Sequence, residues 1–283
     1  MAGGTMGKLD NSFALMRASW ELLKKDKEIL LIPVISGISM MVMLASFIWP
    51  FFFFRDPNVM QRLMNEDENT MMIMSFLFYF LNYLIIIFFN SAIVACATIR
   101  MEGRDPKVLD GLNVACYRIF KIIPWALISA SVGVVLRMIQ GKSNFIGRAL
   151  AGLLGIAWSA SSYLVVPILV NENKGPFDAL SESVSLLKKT WGEGLVGTLS
   201  FGLIFTLMSL PVVVIVCAAV YSGPSQVTLT LMIIATCYLV ALSVVQTALS
   251  GVFQAALYQF ARFGKVPSGF REDQLRRAIE RKN

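Results

Sequence analysis

Residues 71–99 read MMIMSFLFYFLNYLIIIFFNSAIVACATI and contain no charged side chain. The hydrocarbon core of a bilayer is about 30 Å thick, and a helix needs roughly 20 apolar residues to cross it. This stretch is therefore long enough and apolar enough to form a transmembrane helix. Because no water is available in the bilayer core, its backbone amides and carbonyls must bond to one another within that helix.

Five further apolar stretches of similar kind occur along the chain, joined by short polar segments. They are Ile29–Phe54, Ile122–Ile139, Ala149–Val170, Leu195–Tyr221 and Val227–Ala261. Together the six stretches predict an all-α polytopic membrane protein with six spans. The composition agrees, because 56% of the 283 residues are hydrophobic and only 15% are charged, whereas soluble domains carry about 25% charged residues.

The basic residues are distributed unequally among the segments that join these spans. Of the 25 Lys and Arg residues, 20 lie in the N-terminal segment, the second and fourth connections and the C-terminal tail. Cytoplasmic segments of membrane proteins carry an excess of Lys and Arg, so we expect both termini to be cytoplasmic, with the cell membrane as the location. The net charge of +7 then describes a basic inner face over anionic lipid headgroups, and we expect no nucleic acid partner.

Amphipathic helices are predicted in the cytoplasmic segments that precede the first, third and fifth spans. In each segment apolar residues recur every three or four positions, which is the period of a helix with one apolar face. The three stripes are Phe13, Met16, Trp20 and Leu23; Leu109, Leu112, Cys116, Ile119 and Ile123; and Phe177, Leu180, Val184, Leu187 and Trp191. We expect these helices to lie in the headgroup plane, with Phe13, Trp20, Phe177 and Trp191 as interfacial anchors.

The six spans group into three hairpins, each preceded by one of these helices. The three resulting units cover approximately residues 10–100, 105–171 and 176–262. A repeat of this length predicts one membrane domain over residues 1–262, followed by a basic cytoplasmic tail over residues 263–283. The alternative is that basic amphipathic connections are common to any membrane protein of this topology and imply no repetition.

Two polar stripes lie inside the predicted spans, which contain no Asp, Glu or Lys. One face of the second span carries Tyr79, Asn82, Tyr83 and Asn90, and one face of the sixth carries Ser243, Gln246, Ser250 and Gln254. The most polar of these, Asn82, Asn90, Gln246 and Gln254, either bond one helix to another or line a path through the membrane. Ion-coupled carriers and proton pumps usually bury an ionisable group in the membrane, so both classes are disfavoured.

The sequence offers little support for catalysis. It contains no histidine, which is the commonest general base and metal ligand. The four cysteines, Cys96, Cys116, Cys217 and Cys237, form no C-x-x-C pair, so neither a zinc site nor a disulfide framework is predicted. The G-x-S-x-G, H-E-x-x-H and glycine-rich phosphate-loop motifs are also missing. We therefore expect a protein that is not an enzyme and has no catalytic, cofactor-binding or metal-binding residues.

Several stretches resemble an uncharacterised family of six-span membrane proteins, a domain of unknown function. They are Trp20–Glu28, which runs into Leu31–Pro33, and Phe88–Ala97, Gly103–Pro106 and Thr190–Glu193. The resemblance extends over almost the whole chain, and it implies a membrane fold with no established activity. The layout of interfacial helix and hairpin is also similar to the membrane domain fused to some glycerophosphodiester phosphodiesterases. The acid and histidine residues of those enzymes are absent here, so their activity is not implied.

The basic inner face and the interfacial helices together predict the function. We expect a non-enzymatic integral membrane protein that organises membrane lipids with anionic headgroups, or a partner protein. That partner is either a second copy of the chain or another membrane protein. The alternative is a facilitator or channel that passes a small neutral solute or a lipid along the two polar stripes.

Overall fold

The computed structural model of the chain describes residues 16–53, 68–142, 144–190, 195–221, 223, 225–264, 266 and 270. All regular structure in these residues is helical, without strands, which confirms the all-α prediction. The helices are residues 16–25 (α1), Leu31–Phe53 (α2), Glu68–Met101 (α3), Val108–Tyr117 (α4), Ile119–Lys142 (α5), Phe145–Ser161 (α6), Val165–Asn171 (α7), Pro176–Thr190 (α8), Leu195–Tyr221 (α9) and Gln226–Phe263 (α10). A 3₁₀ turn, Lys27–Leu30, stands between α1 and α2.

Six helical segments in the described part of the chain are long and apolar enough to cross a membrane. They are Lys27–Trp49, Met72–Met101, Ile119–Gly141, Phe145–Asn171, Ile204–Tyr221 and Gln226–Phe263. Each coincides with one predicted span, and together they fit an integral multi-pass membrane protein. The short helices α1, α4 and α8 precede the first, third and fifth of these segments, and we call them the pre-span helices.

The helices form two compact units. The terminal unit comprises the described residues of Met1–Pro33, Cys96–Lys107 and Ser185–Asn283, and the middle unit comprises those of Val34–Ala95 and Val108–Val184. The fifth and sixth spans therefore belong to the terminal unit, whereas the third and fourth belong to the middle unit.

In the terminal unit, α9 packs along α10, which is capped at both ends. The hydroxyl of Ser225 accepts a hydrogen bond from the Thr228 amide at 3.1 Å and so acts as the N-cap. At the other end Gly264 has a φ of 63°, and its amide donates to the Phe260 carbonyl at 2.9 Å; a left-handed glycine is the usual end of a helix. With 38 residues, α10 is about 57 Å long, nearly twice the thickness of a bilayer core.

In the middle unit, aromatic pairs hold consecutive spans together. Trp125 of α5 stacks on Trp158 of α6, with ring centroids 5.7 Å apart and an interplanar angle of 23°. Phe47 of α2 meets Phe78 of α3 edge to face at 5.3 Å. Pairs of this geometry contribute about 0.5–1.5 kcal/mol beyond the apolar area that they bury.

The fourth span differs from the sequence prediction. The sequence predicts one continuous helix over Ala149–Val170, whereas α6 ends at Ser161 and α7 begins at Val165. Pro167 explains the interruption, because proline has no amide hydrogen and its ring clashes with the carbonyl four residues earlier in an α-helix. The chain makes a tight turn there instead, and the Tyr163 amide donates to the carbonyl three residues back at 3.1 Å.

Candidate functional site

One side chain of α8 bridges the interruption of the fourth span. The Ser183 hydroxyl donates to the Ser161 carbonyl oxygen at 2.6 Å and accepts from the Leu164 amide at 3.2 Å. Ser183 and Leu164 are both fully buried. A backbone break at membrane depth is tolerated only where neighbouring groups satisfy the freed amides and carbonyls. This hydroxyl satisfies one group on each side of the break.

A groove of about 490 Å³ opens beside the interruption. It is lined from α5 by Ser131 and Val135, among others, and from α6 by Trp158 and Ser161. The Ser131 hydroxyl donates to the Leu127 carbonyl of its own helix, which leaves most of the groove apolar. Such a surface suits an alkyl chain or a small neutral molecule better than a hydrated ion.

Cationic side chains bind the C-terminal end of α7. The Arg118 guanidinium donates to the Val170 carbonyl and to the side-chain oxygen of Asn173, each at 3.2 Å. Lys121 donates to the same oxygen of Asn173. The end of a helix carries partial negative charge on its free carbonyls, so cations are favoured there. Two basic residues of the second connection therefore fix the end of the fourth span.

The segment that follows α7 contains a second ionic contact. The Lys174 ammonium pairs with Glu172 at 2.8 Å and also with Glu182 of α8. The hydrogen bonds to Glu172 and then to Glu182 raise the pKa of Lys174. This lysine consequently links the fourth connection to α8 by charge.

In the terminal unit, a buried carboxylate joins the end of α1 to the end of α3. The Asp26 side chain is 5% exposed, and its Oδ2 lies 2.8 Å from the Nε of Arg100. The same guanidinium contacts Asp105 at 3.1 Å. Burial raises the pKa of Asp26, the charge of Arg100 opposes this, and the hydrogen bond and charge of Asp105 raise it further. Two carboxyl groups thus share one cation.

A groove of about 570 Å³ also lies in the terminal unit. It is lined by Met16, Arg17 and Trp20 of α1, Phe205 and Met208 of α9, and Tyr238, Ala241, Leu242, Val245 and Leu249 of α10. The polar groups of the lining side chains are the Arg17 guanidinium, the Trp20 indole N–H and the Tyr238 hydroxyl, which donates to the Met208 carbonyl at 3.3 Å. The groove therefore combines a long apolar wall with one cation.

The four most polar residues of the predicted stripes, Asn82, Asn90, Gln246 and Gln254, are at least half-buried. The Asn82 side chain donates to the Phe78 carbonyl of its own helix at 2.7 Å. Gln254 is 7% exposed, whereas Asn90 and Gln246 are half-buried. Asn82 and Asn90 belong to the middle unit, and Gln246 and Gln254 to the terminal unit. Their role as helix contacts or as a path stays a prediction.

Two of the four predicted interfacial anchors can be placed. Trp20 is half-buried, and the Lys24 ammonium lies 5.8 Å from the centre of its ring. Phe177 is 73% exposed. Phe13 lies outside the described residues, as does Trp191. An anchor in the headgroup region must project from the protein, and Phe177 does so.

The buried faces of the pre-span helices carry small residues, which sequence reasoning missed. The buried small residues are Ala18 and Ser19 in α1, Gly111 and Ala115 in α4, and Ala179 and Ser183 in α8; Leu22, Leu23, Leu186 and Leu187 are buried as well. When the three predicted apolar stripes are aligned, Ser19, Ala115 and Ser183 occupy the same position, and each is fully buried. Small residues four positions apart in α4 and α8 are the signal that could have located these faces, because such spacing lets helix backbones approach closely.

Cysteines and carboxylates give no indication of a metal site. Among the described residues, no group of three or more His, Cys, Asp or Glu side chains is placed to hold a metal ion. Cys96 is buried, and its thiol donates to the Lys107 carbonyl at 3.5 Å. Cys116, Cys217 and Cys237 are exposed, so cysteine labelling experiments must replace them first.

Residues 69–270 match the model of a family described as Family of unknown function (DUF6159). The chain belongs to this family. The part that matches DUF6159 contains the last five candidate spans and the interruption of the fourth. It includes the stretches Phe88–Ala97, Gly103–Pro106 and Thr190–Glu193, whereas Trp20–Glu28 precedes it. No curated protein and no solved structure matches the chain. The predicted membership in an uncharacterised family is therefore confirmed, and DUF6159 brings no known activity with it.

Proposed function

We propose that the protein is a non-enzymatic membrane module that organises anionic lipids at its cytoplasmic face, and through them a second copy of the chain or another membrane protein. The observation that carries this proposal is the arrangement of the pre-span helices. In α4 and at the start of α8, small residues are buried, whereas the large apolar residues Leu109, Tyr117, Phe120 and Phe177 in and next to these helices are 67–85% exposed. Such side chains are costly in water but stable when they insert between lipid headgroups and acyl chains.

Exposed basic residues occur on the parts of the pre-span helices that belong to the terminal unit. Arg17, Lys24 and Lys25 are exposed on α1, and Lys188 is exposed on α8. A basic residue close to an anionic membrane surface contributes about 1 kcal/mol of attraction. Apolar insertion by the middle unit and charge on the terminal unit are therefore two separate contributions to lipid binding.

We further propose that both termini are cytoplasmic and that the six spans form three hairpins in the cell membrane. The excess of basic residues in the N-terminal, second, fourth and C-terminal segments supports this topology. The burial pattern supports three similar units, because each even-numbered span ends in a buried segment before the next polar connection. These segments are Ser91–Thr98, Leu164–Val170 and Gly251–Tyr258.

Lipid selectivity in reconstituted bilayers tests the lipid proposal. The protein is placed in phosphatidylcholine vesicles with a trace of spin-labelled phosphatidylglycerol or, as the matched control, spin-labelled phosphatidylcholine. We expect a larger motionally restricted fraction for the anionic label at low salt. The excess should disappear in 1 M salt, because the Debye length falls from about 10 Å at 0.1 M to about 3 Å at 1 M. Equal restricted fractions for both labels at low salt would refute the proposal.

Charge variants sharpen this measurement. The double change Lys24→Gln and Lys25→Gln should reduce the preference for the anionic label, because both side chains are exposed on a pre-span helix. Arg148→Gln is the control, since Arg148 is exposed at the predicted outer end of the fourth span. It should leave the preference unchanged, because Arg148 lies outside the pre-span helices.

A second function, passage of a small neutral solute or a lipid, is favoured by the interrupted fourth span. Ser161 lies ten residues, about 15 Å of helical rise, before the end of this candidate span at Asn171, so a span that begins at the membrane surface there would have Ser161 near the middle of a bilayer core. Broken helices in transporters place binding sites at this depth, and the groove of the middle unit reaches Ser161.

Cysteine accessibility separates the two functions. After the four native cysteines are replaced by serine, single cysteines are introduced at Asn82, Asn90, Gln246 and Gln254. A water-filled path would expose them to small water-soluble thiol reagents, whereas residues that only join helices would label slowly. We expect slow labelling at all four positions. Fast labelling in both the second and the sixth span would favour a conduit over a lipid-organising module.

A further inference from the structure

We infer that the groove of the terminal unit binds one acyl chain of an anionic phospholipid, with the Arg17 guanidinium on the lipid phosphate. This inference rests on the proposed function, but it assigns a defined site to a lipid that would otherwise be held only at a diffuse basic surface. Three observations support it: the length of the groove, the absence of an ion pair at Arg17 among the described residues, and the hydrogen bond that already occupies the Tyr238 hydroxyl.

The groove has the length of one leaflet. Its lining along α10 extends from Tyr238 to Leu249, which corresponds to about 16 Å of helix. Half of a bilayer core is about 15 Å. Ala241, Leu242 and Val245 line the stretch between these two residues, so a single alkyl chain meets apolar side chains over its whole length.

The cation of the groove is available to a ligand. Arg17 is exposed, and no described carboxylate forms an ion pair with it, in contrast to Arg100 and Arg104. A guanidinium binds phosphate through two parallel hydrogen bonds and keeps its charge at all physiological pH values. An anionic phosphodiester headgroup complements this charge.

The Tyr238 hydroxyl and the Trp20 ring indicate the direction in which the lipid lies in the groove. The Tyr238 hydroxyl already donates to the Met208 carbonyl, so this end of the groove offers no free donor to a headgroup. Trp20 lies beside Arg17 on α1, and indole rings favour the boundary between headgroups and acyl chains. The headgroup therefore lies against α1, and the chain lies along α9 and α10.

Trp20 serves as a reporter inside the proposed site. The chain has five tryptophans, and a variant that keeps only Trp20 is made by changing the other four to Phe. It is reconstituted in dioleoylphosphatidylcholine vesicles with increasing fractions of acyl-brominated phosphatidylglycerol or acyl-brominated phosphatidylcholine, whose bromines quench nearby tryptophan. We expect the anionic lipid to quench Trp20 at a mole fraction about fivefold lower, the equivalent of about 1 kcal/mol.

A variant that keeps only Trp49 provides the matched control. Trp49 lies on α2, is 62% exposed and does not line the groove. The two brominated lipids should quench it at the same mole fraction. If Trp20 behaves like Trp49, with no difference between the headgroups, the site does not exist.

Two substitutions in the Trp20-only protein test the two parts of the site separately. Arg17→Gln should abolish the preference for the anionic headgroup while quenching by both lipids remains. Ala241→Phe should fill the groove and reduce quenching by both lipids. An Ala241→Phe variant that is quenched like its parent would overturn the acyl-chain site. Protection of Trp20 from quenching that increases with the protein-to-lipid ratio would also overturn it, because a second copy of the chain would then occupy the groove.

The outcomes distinguish this site from the proposed function. Salt-sensitive selectivity for spin-labelled phosphatidylglycerol, together with equal quenching of Trp20 by both lipids, would leave the lipid-organising function in place and remove the site. Loss of both selectivities would remove both proposals.

Discussion

The hydroxyl of Ser183 lies 2.6 Å from the carbonyl oxygen of Ser161, which is 22 residues earlier in the chain. The first residue belongs to a pre-span helix and the second to the last turn before the interruption of the fourth span. Because the same hydroxyl also accepts from the Leu164 amide, it holds both sides of the break. The position of α8 and the geometry of the interruption therefore cannot change independently.

Removing this hydroxyl should destabilise the middle unit. Ser183→Ala leaves the Ser161 carbonyl and the buried Leu164 amide without the partner that they have now, and an unsatisfied buried group costs about 1–3 kcal/mol. We expect a lower thermal unfolding midpoint in detergent and in bilayers. Ser181→Ala is the control, because Ser181 is exposed on the same helix. Equal midpoints for the two variants would show that the bridge contributes nothing to stability.

The Asp26 carboxyl should make stability depend on pH. Its pKa is raised above the ordinary 3.8 mainly by burial, so the folded protein holds this proton more tightly than the unfolded chain does. Protonated Asp26 therefore contributes its full stabilisation below pH 3.8, the pKa in the unfolded chain. This contribution is lost as the pH rises through the higher pKa of the folded protein. Asp26→Asn removes this dependence, so the stability of the variant relative to the parent should rise as the pH increases from about 4 upward.

Unfolding midpoints measured across this range check the prediction for Asp26. Glu21→Gln is a suitable control, because Glu21 pairs with Lys24 at the surface and its side chain is 53% exposed. A difference between Asp26→Asn and the parent protein that stays constant with pH would contradict the assignment.

Gly133 should tolerate no side chain without movement of its neighbour. A Cβ at this position would lie 3.0 Å from the Tyr83 hydroxyl oxygen and 3.2 Å from a ring carbon of the same residue. Overpacking of this kind typically costs about 1–3 kcal/mol. We expect Gly133→Ala to be less stable than Gly152→Ala, since nothing lies within 4 Å of a Cβ at Gly152.

A second change at Tyr83 tests the cause of this effect. Tyr83→Phe removes the nearer of the two atoms, so it should recover part of the stability lost in Gly133→Ala. The double-mutant cycle in thermal unfolding measures this coupling. Additive effects of the two changes would mean that the contact is not the reason for the loss.

The proposed topology predicts the side of the membrane for each polar segment. Reporter fusions after Asn283 and within Arg104–Lys121 should give cytoplasmic signals, because these segments are rich in Lys and Arg. Fusions within Asp56–Asn69 should give the opposite signal. A C-terminal fusion that reports from the outside would overturn the orientation.

The positions of the spans were predictable because length and apolarity alone determine whether a helix can cross a membrane. The interruption of the fourth span was not. Pro167 was visible in the sequence, but a proline in a membrane helix either kinks it or breaks it, depending on which groups satisfy the freed backbone. Here that group is Ser183, and nothing in the chain before folding indicates that its hydroxyl reaches Ser161.

The candidate sites were less predictable than the spans, for a related reason. Periodicity identified the apolar stripes of the pre-span helices, yet it could not indicate whether lipid or protein covers them. In α4 the large residues such as Leu109 are exposed, and the buried positions are Gly111 and Ala115. The ion pair of Asp26 with Arg100 joins residues far apart in sequence, and charge counting assigns such residues only to a side of the membrane.

The interrupted fourth span also has a consequence for biosynthesis. During insertion, α6 offers only 17 residues, about 25 Å of helix, so the fourth span needs α7 as well to cross a hydrocarbon core of about 30 Å. The hydroxyl that bridges its break is synthesised only after the whole span, because Ser183 follows it in the chain. The hydrogen bonds across the break can therefore form only after α8 has been synthesised.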